Sequence, residues 1–363
     1  MPEKITVVVL FGGRSSEHSI SCATAGGVLE AIDRSRYDVI PVGITRSGAF
    51  VLEEDSPAKF RLDPAALPEV VDNGSRILWP SSASSRALSV QDASGAVRAL
   101  GDVDVVFPIL HGPFGEDGTV QGMLELVSLP YVGSGVLASA LGMDKHFTKT
   151  VLAASGIDVA PWVTVTAASW AASPSAVTAT VTSLGLPLFV KPARAGSSVG
   201  VSKVSVLAEL PEALSVAFAE DSRVLIESAV VGREVECGVL GGRNGGAPRV
   251  SVAGEIVMTD RAFYDFEAKY LGGAGVELVC PAELTDTELA EMQALAGRAF
   301  TAIDGAGLAR VDFFLTPSGS FVVNEINTMP GFTPISMFPA CWIASGVSYP
   351  QIIDELIALA LEK

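Results

Sequence analysis

The chain has 363 residues, 49% of them hydrophobic and 18% charged, with 24 basic against 41 acidic side chains and a net charge of −17. That content excludes a disordered chain and a coiled coil, and the length suffices for two to three domains of ~150 residues, each with its own core. The acidic balance repels phosphate backbones and anionic lipid surfaces, so neither nucleic acid nor a membrane is expected as a partner.

The opening ITVVVLFGG reads as a fully buried strand ending in glycines, and the segment that follows, to Ile32, reads as a helix, the βα start of an α/β domain. Strands are expected at Tyr37 to Ile44 and Val103 to Leu110, with Ser/Ala/Gly-rich surface strands and loops between Asp72 and Leu100. A second unit begins near Gly133, with a helix from Asp144 to Ala154, a strand around Pro161 to Val165, an Ala/Ser/Thr-rich helix and the strand LPLFVKP. After Glu227 the pattern is strand-rich. It closes with two apolar strands around a TPSG turn and a helix ending at Leu361.

The uncharged stretches Val159 to Val190 and Ile326 to Ile353 are interrupted by prolines and do not give ~20 continuous apolar residues, so neither is expected to span a bilayer. The short apolar run after Lys4 ends in Gly-Gly and a polar segment rather than a cleavage site. Cys22, Cys237, Cys280 and Cys341 form no CxxC pair, and three histidines give no zinc-finger spacing. Reduced thiols and a cytoplasmic location are expected.

No Gly-Lys dipeptide occurs, which excludes a GxxxxGK[ST] phosphate loop. In VKPARAGSSVGVSKV, however, Lys191 stands at a strand end before a Gly196 to Gly200 turn whose N–H groups and hydroxyls can close over phosphate oxygens. Lys145 and Lys149 in GMDKHFTK are further cations, which taken alone read as a solvated helix face. The last hairpin says more. With TPSG as its turn, an odd sum of paired residue numbers puts Asp312 on one sheet face with Glu325, Asn327 and Arg310, and an even sum would break the arrangement. Two carboxylates, an amide oxygen and a guanidinium on one face suit Mg²⁺, which takes its remaining ligands from water and substrate phosphates. An exposed face with ordinary ion pairs is the alternative.

A strand-Lys-Gly loop followed by a VDFF…NEIN hairpin resembles the ATP-grasp superfamily, in which two α+β domains hold ATP between them. GGRSSEHSIS, HGPFGEDGTVQGMLELVSLPYVGSGVLASALGMDK, APW, VKPARAGSSVGVSKV, FYDFEAKY, CPA and EINTMPGFTPISMFP then run in order from Gly12 to Pro339. Together they resemble the D-alanine–D-alanine ligase family along nearly the whole chain. The resemblance implies an ATP-grasp fold of α/β and α+β class, divided into an N-terminal α/β domain (1–133), a central subdomain (134–227) and a C-terminal subdomain carrying the metal hairpin (228–363).

It also implies ATP-driven joining of two D-alanines through an acylphosphate, for peptidoglycan precursor synthesis, with Mg²⁺ or Mn²⁺ as two ions and a homodimeric enzyme. By resemblance, Lys145, Lys191 and Ser198 hold ATP phosphates, Glu234 takes the ribose hydroxyls, and Glu227 to Val230 meets the adenine edge. Asp312, Glu325 and Asn327 match metal ligands, and Arg310 with the Gly331 N–H matches the oxyanion site. Glu17, with Ser197 and Tyr270, matches the group orienting the first D-alanine; Lys269 and Ser336 match contacts to the second, and His111 an active-site histidine. The segment from Tyr264 to Gly275 reads as a lid, and Tyr270 favours a dipeptide over a D-lactate product. Ala195 and Ala229 depart from the family pattern beside the nucleotide.

Three rivals remain open on the sequence. GSGVLA with Asp158 fits a dinucleotide-binding GxGxxA. A nucleotide-binding protein without turnover would use the same carboxylates, and a D-alanine–D-lactate enzyme would share the fold.

Overall fold

The computed structural model describes residues 4–63, 65–196, 198–258 and 276–362. The first apolar run is β1 (Ile5–Gly12), paired in parallel with β2 (Tyr37–Ile44) and β7 (Val105–Ile109), and β3 (Phe50–Leu52) is added antiparallel at the edge. Its side chains alternate between two cores. Val7, Val9 and Phe11 face Cys22, Val28 and Leu29 of α1 (His18–Ala31), whereas Val8 and Leu10 face Ile77, Leu88 and Val90. A strand covered on both sides must be apolar throughout, which is the pattern of ITVVVLF.

Ile77, Leu88 and Val90 belong to a small antiparallel sheet of β4 (Arg76–Leu78), β5 (Ala87–Gln91) and β6 (Val97–Asp102). Helices α2 (Thr119–Leu126) and α3 (Val136–Met143) lead out of this unit, and Asp144 caps α4 (Lys145–Ala154) by accepting from the His146 and Phe147 N–H groups.

The second large sheet is antiparallel, in the order β10 (Ser202–Val204), β9 (Leu188–Pro192), β11 (Arg223–Ser228), β8 (Trp162–Thr166). The Ala/Ser/Thr-rich stretch forms two helices, α5 (Ala167–Ala172) and α6 (Pro174–Thr182), because Pro174 starts a new helix at its first position. With α7 (Leu210–Glu220) they back this sheet.

The third sheet orders β14 (Val276–Val279), β13 (Arg249–Met258), β12 (Arg233–Leu240), β15 (Leu308–Leu315) and β16 (Phe321–Asn327), all antiparallel. Val235, Cys237, Val311 and Phe313 point to α8 (Asp286–Ala302), and the other face meets α9 (Met337–Ala344) and the cleft. Gly254 on β13 makes room for α9, since a Cβ there would sit 2.0 Å from the Met337 sulfur. The last helix, α10 (Tyr349–Leu361), does not stay with this sheet: Ile352, Ile353, Leu356 and Ile357 join the first core with Val7 and Phe107.

The final hairpin qualifies the expectation of a single odd register. Next to the TPSG turn, Leu315 pairs with Phe321 and Phe313 with Val323, the even arrangement. The register then shifts, so that Asp312 lies opposite Glu325 and Arg310 opposite Asn327. Asn324 is the extra residue, and this bulge brings the carboxylates onto one face.

Candidate active site

Strands of the second and third sheets, with α1 and the loop after β7 of the first unit, converge on one cleft of about 330 Å³. Glu17, His111, Lys145, Lys191, Ser198, Glu227, Glu234, Arg310, Asp312, Glu325, Asn327, Gly331 and Ser336 all line it. Ser197, Lys269 and Tyr270, and the expected lid from Tyr264 to Gly275, lie outside the described residues.

At one end the Glu227 carboxylate, on β11, is held between two ammonium groups. Lys149 Nζ is 2.9 Å from Oε2, and Lys191 on β9 pairs with Oε1. Lys149 is only 3% exposed, so it is no solvated helix lysine but a buried counter-charge. Burial alone would raise the Glu227 carboxyl, yet the two lysines override it and hold it down at about 2. Burial also opposes the charge on Lys191, and Glu227 more than compensates, raising its pKa. Lys145 Nζ donates to the Ala195 carbonyl at 2.7 Å, tying α4 to the glycine turn. The position where the family pattern departs thus contributes its backbone.

The centre is built on β12, β15 and β16. Arg310 Nε and one terminal nitrogen grip Asp312 at 2.7 and 2.8 Å, and Nε also lies 2.9 Å from Glu236 Oε2. Asn327 Nδ2 donates to Asp312 Oδ2 at 3.1 Å. Burial disfavours the Arg310 cation, but Asp312 and Glu236 outweigh it and push its pKa well up.

At the far end, Glu17 sits at the N-cap of α1 without capping it. Two glycines let the chain approach its carboxylate: a Cβ at Gly112 (φ +72°) would lie 2.9 Å from Oε2, and one at Gly196 3.0 Å. Glu116 accepts from the Gly112 N–H at 2.7 Å. Burial and the nearby Glu17 charge push the Glu116 carboxyl up to about 8. His111 Nδ1 lies 3.0 Å from the Met329 carbonyl oxygen, while its buried Nε2 has no hydrogen-bond partner among the described residues. Burial lowers its pKa, so the ring is neutral, with Nδ1–H donating and Nε2 left as an acceptor. Gly331 and Ser336 share a loop in which the Thr333 N–H donates to Ser336 Oγ at 3.2 Å, and the Tyr349 hydroxyl donates to the Phe332 carbonyl at 2.6 Å.

Residues 6–134 match the model of the D-Ala D-Ala ligase N-terminus, and residues 151–358 match that of its C-terminus. A D-alanine–D-alanine ligase of Paenarthrobacter aurescens is 51% identical over 98% of this chain and 95% of its own length; one of Pseudarthrobacter chlorophenolicus is 52% identical over 99% and 95%. The chain belongs to the D-alanine–D-alanine ligase family. Among solved structures, the D-alanine–D-alanine ligase of Coxiella burnetii superposes with a TM-score of 0.82 at 36% identity, covering 99% of this chain and 94% of its own. The VanG D-Ala:D-Ser ligase of Enterococcus faecalis gives 0.84 at 34%, covering 99% and 100%. The fold of this ligase-family chain is accordingly ATP-grasp.

Three cleft residues of the ligase escaped the sequence reading as site residues. Glu236 stands two positions after Glu234 on one strand, and period-two alternation puts both on the cleft face. Lys149 is one helical turn beyond Lys145. Glu116 lies within the HGPFGEDG segment already singled out, and only its distance in sequence from Glu17 hid their proximity.

Proposed function

We propose that the chain catalyses ATP-dependent ligation of two D-alanines to D-alanyl-D-alanine for peptidoglycan precursor synthesis. The observation that carries this reading is one cleft holding the lysine pair, the Asp312/Glu325/Asn327 face with Arg310, and Glu17, in a chain of this family. Lys191, Lys145 and Ser198 bind the ATP phosphates, with Lys191 exchanging Glu227 for phosphate oxygens. Glu234 takes the ribose hydroxyls, and the backbone from Glu227 to Val230 takes the adenine edge.

Glu17 and Ser197 hold the ammonium end of the first D-alanine. Its carboxylate attacks the γ-phosphate to give an acylphosphate and ADP. The amine of the second D-alanine, held at its carboxylate by Ser336 and Lys269, attacks the acyl carbon, and the tetrahedral intermediate then expels phosphate. Arg310 and the Gly331 N–H face the developing oxyanion, donors worth roughly 10²–10³ in rate each.

Asp312, Glu325 and Asn327 would hold Mg²⁺ or Mn²⁺. Among the described residues, no three of His, Cys, Asp and Glu gather into a protein metal cage. Two carboxylates and an amide instead form a partial, oxygen-bearing set that leaves coordination positions to phosphate and water. The divalent ion, when bound, neutralises charge on the transferring phosphoryl group.

We further propose a cytoplasmic homodimer. Sedimentation of the purified protein tests its assembly. Among the described residues no helix is long and apolar enough to cross a membrane. ADP release across a panel of D- and L-amino acids tests the reaction. Release that needs D-alanine supports ligation, and nucleotide binding with no turnover on any member of the panel refutes it.

A further inference from the structure

The four cysteines were expected to be reduced, mostly buried thiols, and Cys22, Cys237 and Cys341 are buried. Cys280 differs in being partly exposed, and its sulfur lies 3.7 Å from that of Cys341, 61 residues away. Cys280 directly follows β14 on the third sheet, and Cys341 is on α9, where it packs with Ile256 and Met337. Both elements border the reaction cleft, to which Leu278, Ser336 and Met337 contribute.

We propose that Cys280 and Cys341 form a site of oxidative modification, where an intramolecular disulfide ties β14 to α9 beside the cleft. A disulfide bond is about 2.05 Å long, so side-chain rotation together with a shift of α9 toward β14 has to close the present gap between the sulfurs. The partly exposed Cys280 is the attacking sulfur. The Cys341 contact lowers its pKa and favours the thiolate, while the same contact and burial keep the Cys341 thiol protonated.

With a low-molecular-weight disulfide as oxidant, the Cys280 thiolate attacks one of its sulfurs, forming a mixed disulfide and releasing one thiolate. Cys341 then loses its proton and attacks the Cys280 sulfur, expelling the second thiolate. Two electrons pass from the protein pair to the oxidant, which leaves as two thiols. Drawing α9 toward β14 displaces Ser336 and Met337 at the helix start, and an ångström-scale misplacement there lowers turnover about tenfold or more.

The effect on turnover rests on the ligase reading, but the linkage itself is read without any activity. The full chain is treated with glutathione disulfide, alkylated, and mapped by peptide mass spectrometry, with turnover measured before treatment, after it, and after reduction by dithiothreitol. The expected result is a linked Cys280–Cys341 peptide, loss of two titratable thiols, and lost turnover restored by reduction. Cys280→Ser and Cys280→Ala should start near wild-type activity and resist both changes. Full alkylation of Cys280 after treatment, or glutathione remaining on it, would overturn the disulfide. A linked peptide with unchanged turnover, or an equal loss in both variants, would overturn its effect on the cleft.

Discussion

The imidazole of His111 reaches across 218 residues of sequence to place Nδ1 3.0 Å from the backbone carbonyl oxygen of Met329. The contact joins the loop after β7 to the loop that carries Gly331. His111→Phe removes the donor and leaves a buried carbonyl unsatisfied, a cost of about 1–3 kcal/mol. We expect a lower thermal midpoint and lower kcat, measured by calorimetry and ADP release. An unchanged midpoint would show the contact to be incidental.

Glu116 predicts a pH dependence. Its folded-state pKa of about 8 lies above the ordinary 4.5, so the folded chain retains a proton that the unfolded chain releases. Stability from this group is full below 4.5 and is lost as pH rises toward 8, at no more than about 1.4 kcal/mol per pH unit. Glu116→Gln removes that slope while keeping an acceptor for the Gly112 N–H. In denaturant titrations between pH 5 and 8, the variant should therefore gain on the wild type as pH rises. Parallel curves would mean that Glu116 is ionised throughout.

The lysine pair on Glu227 predicts a coupling. Lys149→Met leaves a buried carboxylate with one counter-charge, and breaking such a pair costs about 3–5 kcal/mol. Lys149→Met combined with Glu227→Gln should recover part of that loss, giving a clear interaction energy in a double-mutant cycle. Because the Glu227 pKa is depressed to about 2, its contribution is present above 4.5 and fades as pH falls through 2. Strict additivity at neutral pH would contradict the pairing.

The carboxylate face predicts metal dependence. Asp312→Ala and Glu325→Ala should each cut turnover by at least the 10- to 100-fold that loss of even an outer partner of a metal site costs. Both should also raise the Mg²⁺ concentration needed for half-maximal ADP release. Near-normal activity in both variants, with an unchanged Mg²⁺ requirement, would remove these residues from the metal site.

Acceptor choice is the last prediction. With D-alanine, D-serine and D-lactate supplied in equal amounts at pH 7, D-alanyl-D-alanine should dominate the products by mass spectrometry. A depsipeptide majority would overturn the specificity while leaving the ligase chemistry standing, and Tyr270→Phe should lower turnover, an unaltered rate showing its hydroxyl to be incidental.

The apolar run of β1, the helix starting at Asp144 and the TPSG turn were legible in the sequence because local periodicity and turn chemistry specify them, and the ordered motifs from Gly12 to Pro339 were legible through their resemblance to the family. They sufficed for the fold class and for naming thirteen of the residues that line the cleft. Three features were decided by tertiary structure. The bulge at Asn324 shifts a register that the turn alone sets the other way, since pairing beyond the turn answers to packing on both faces of the sheet. Lys149 becomes a buried counter-charge because β11 carries Glu227 beneath α4, a meeting of segments far apart in the chain. The last helix crosses to the first sheet because its apolar stripe is buried there with Val7 and Phe107, and Tyr349 at its start bonds the Phe332 carbonyl next to Gly331.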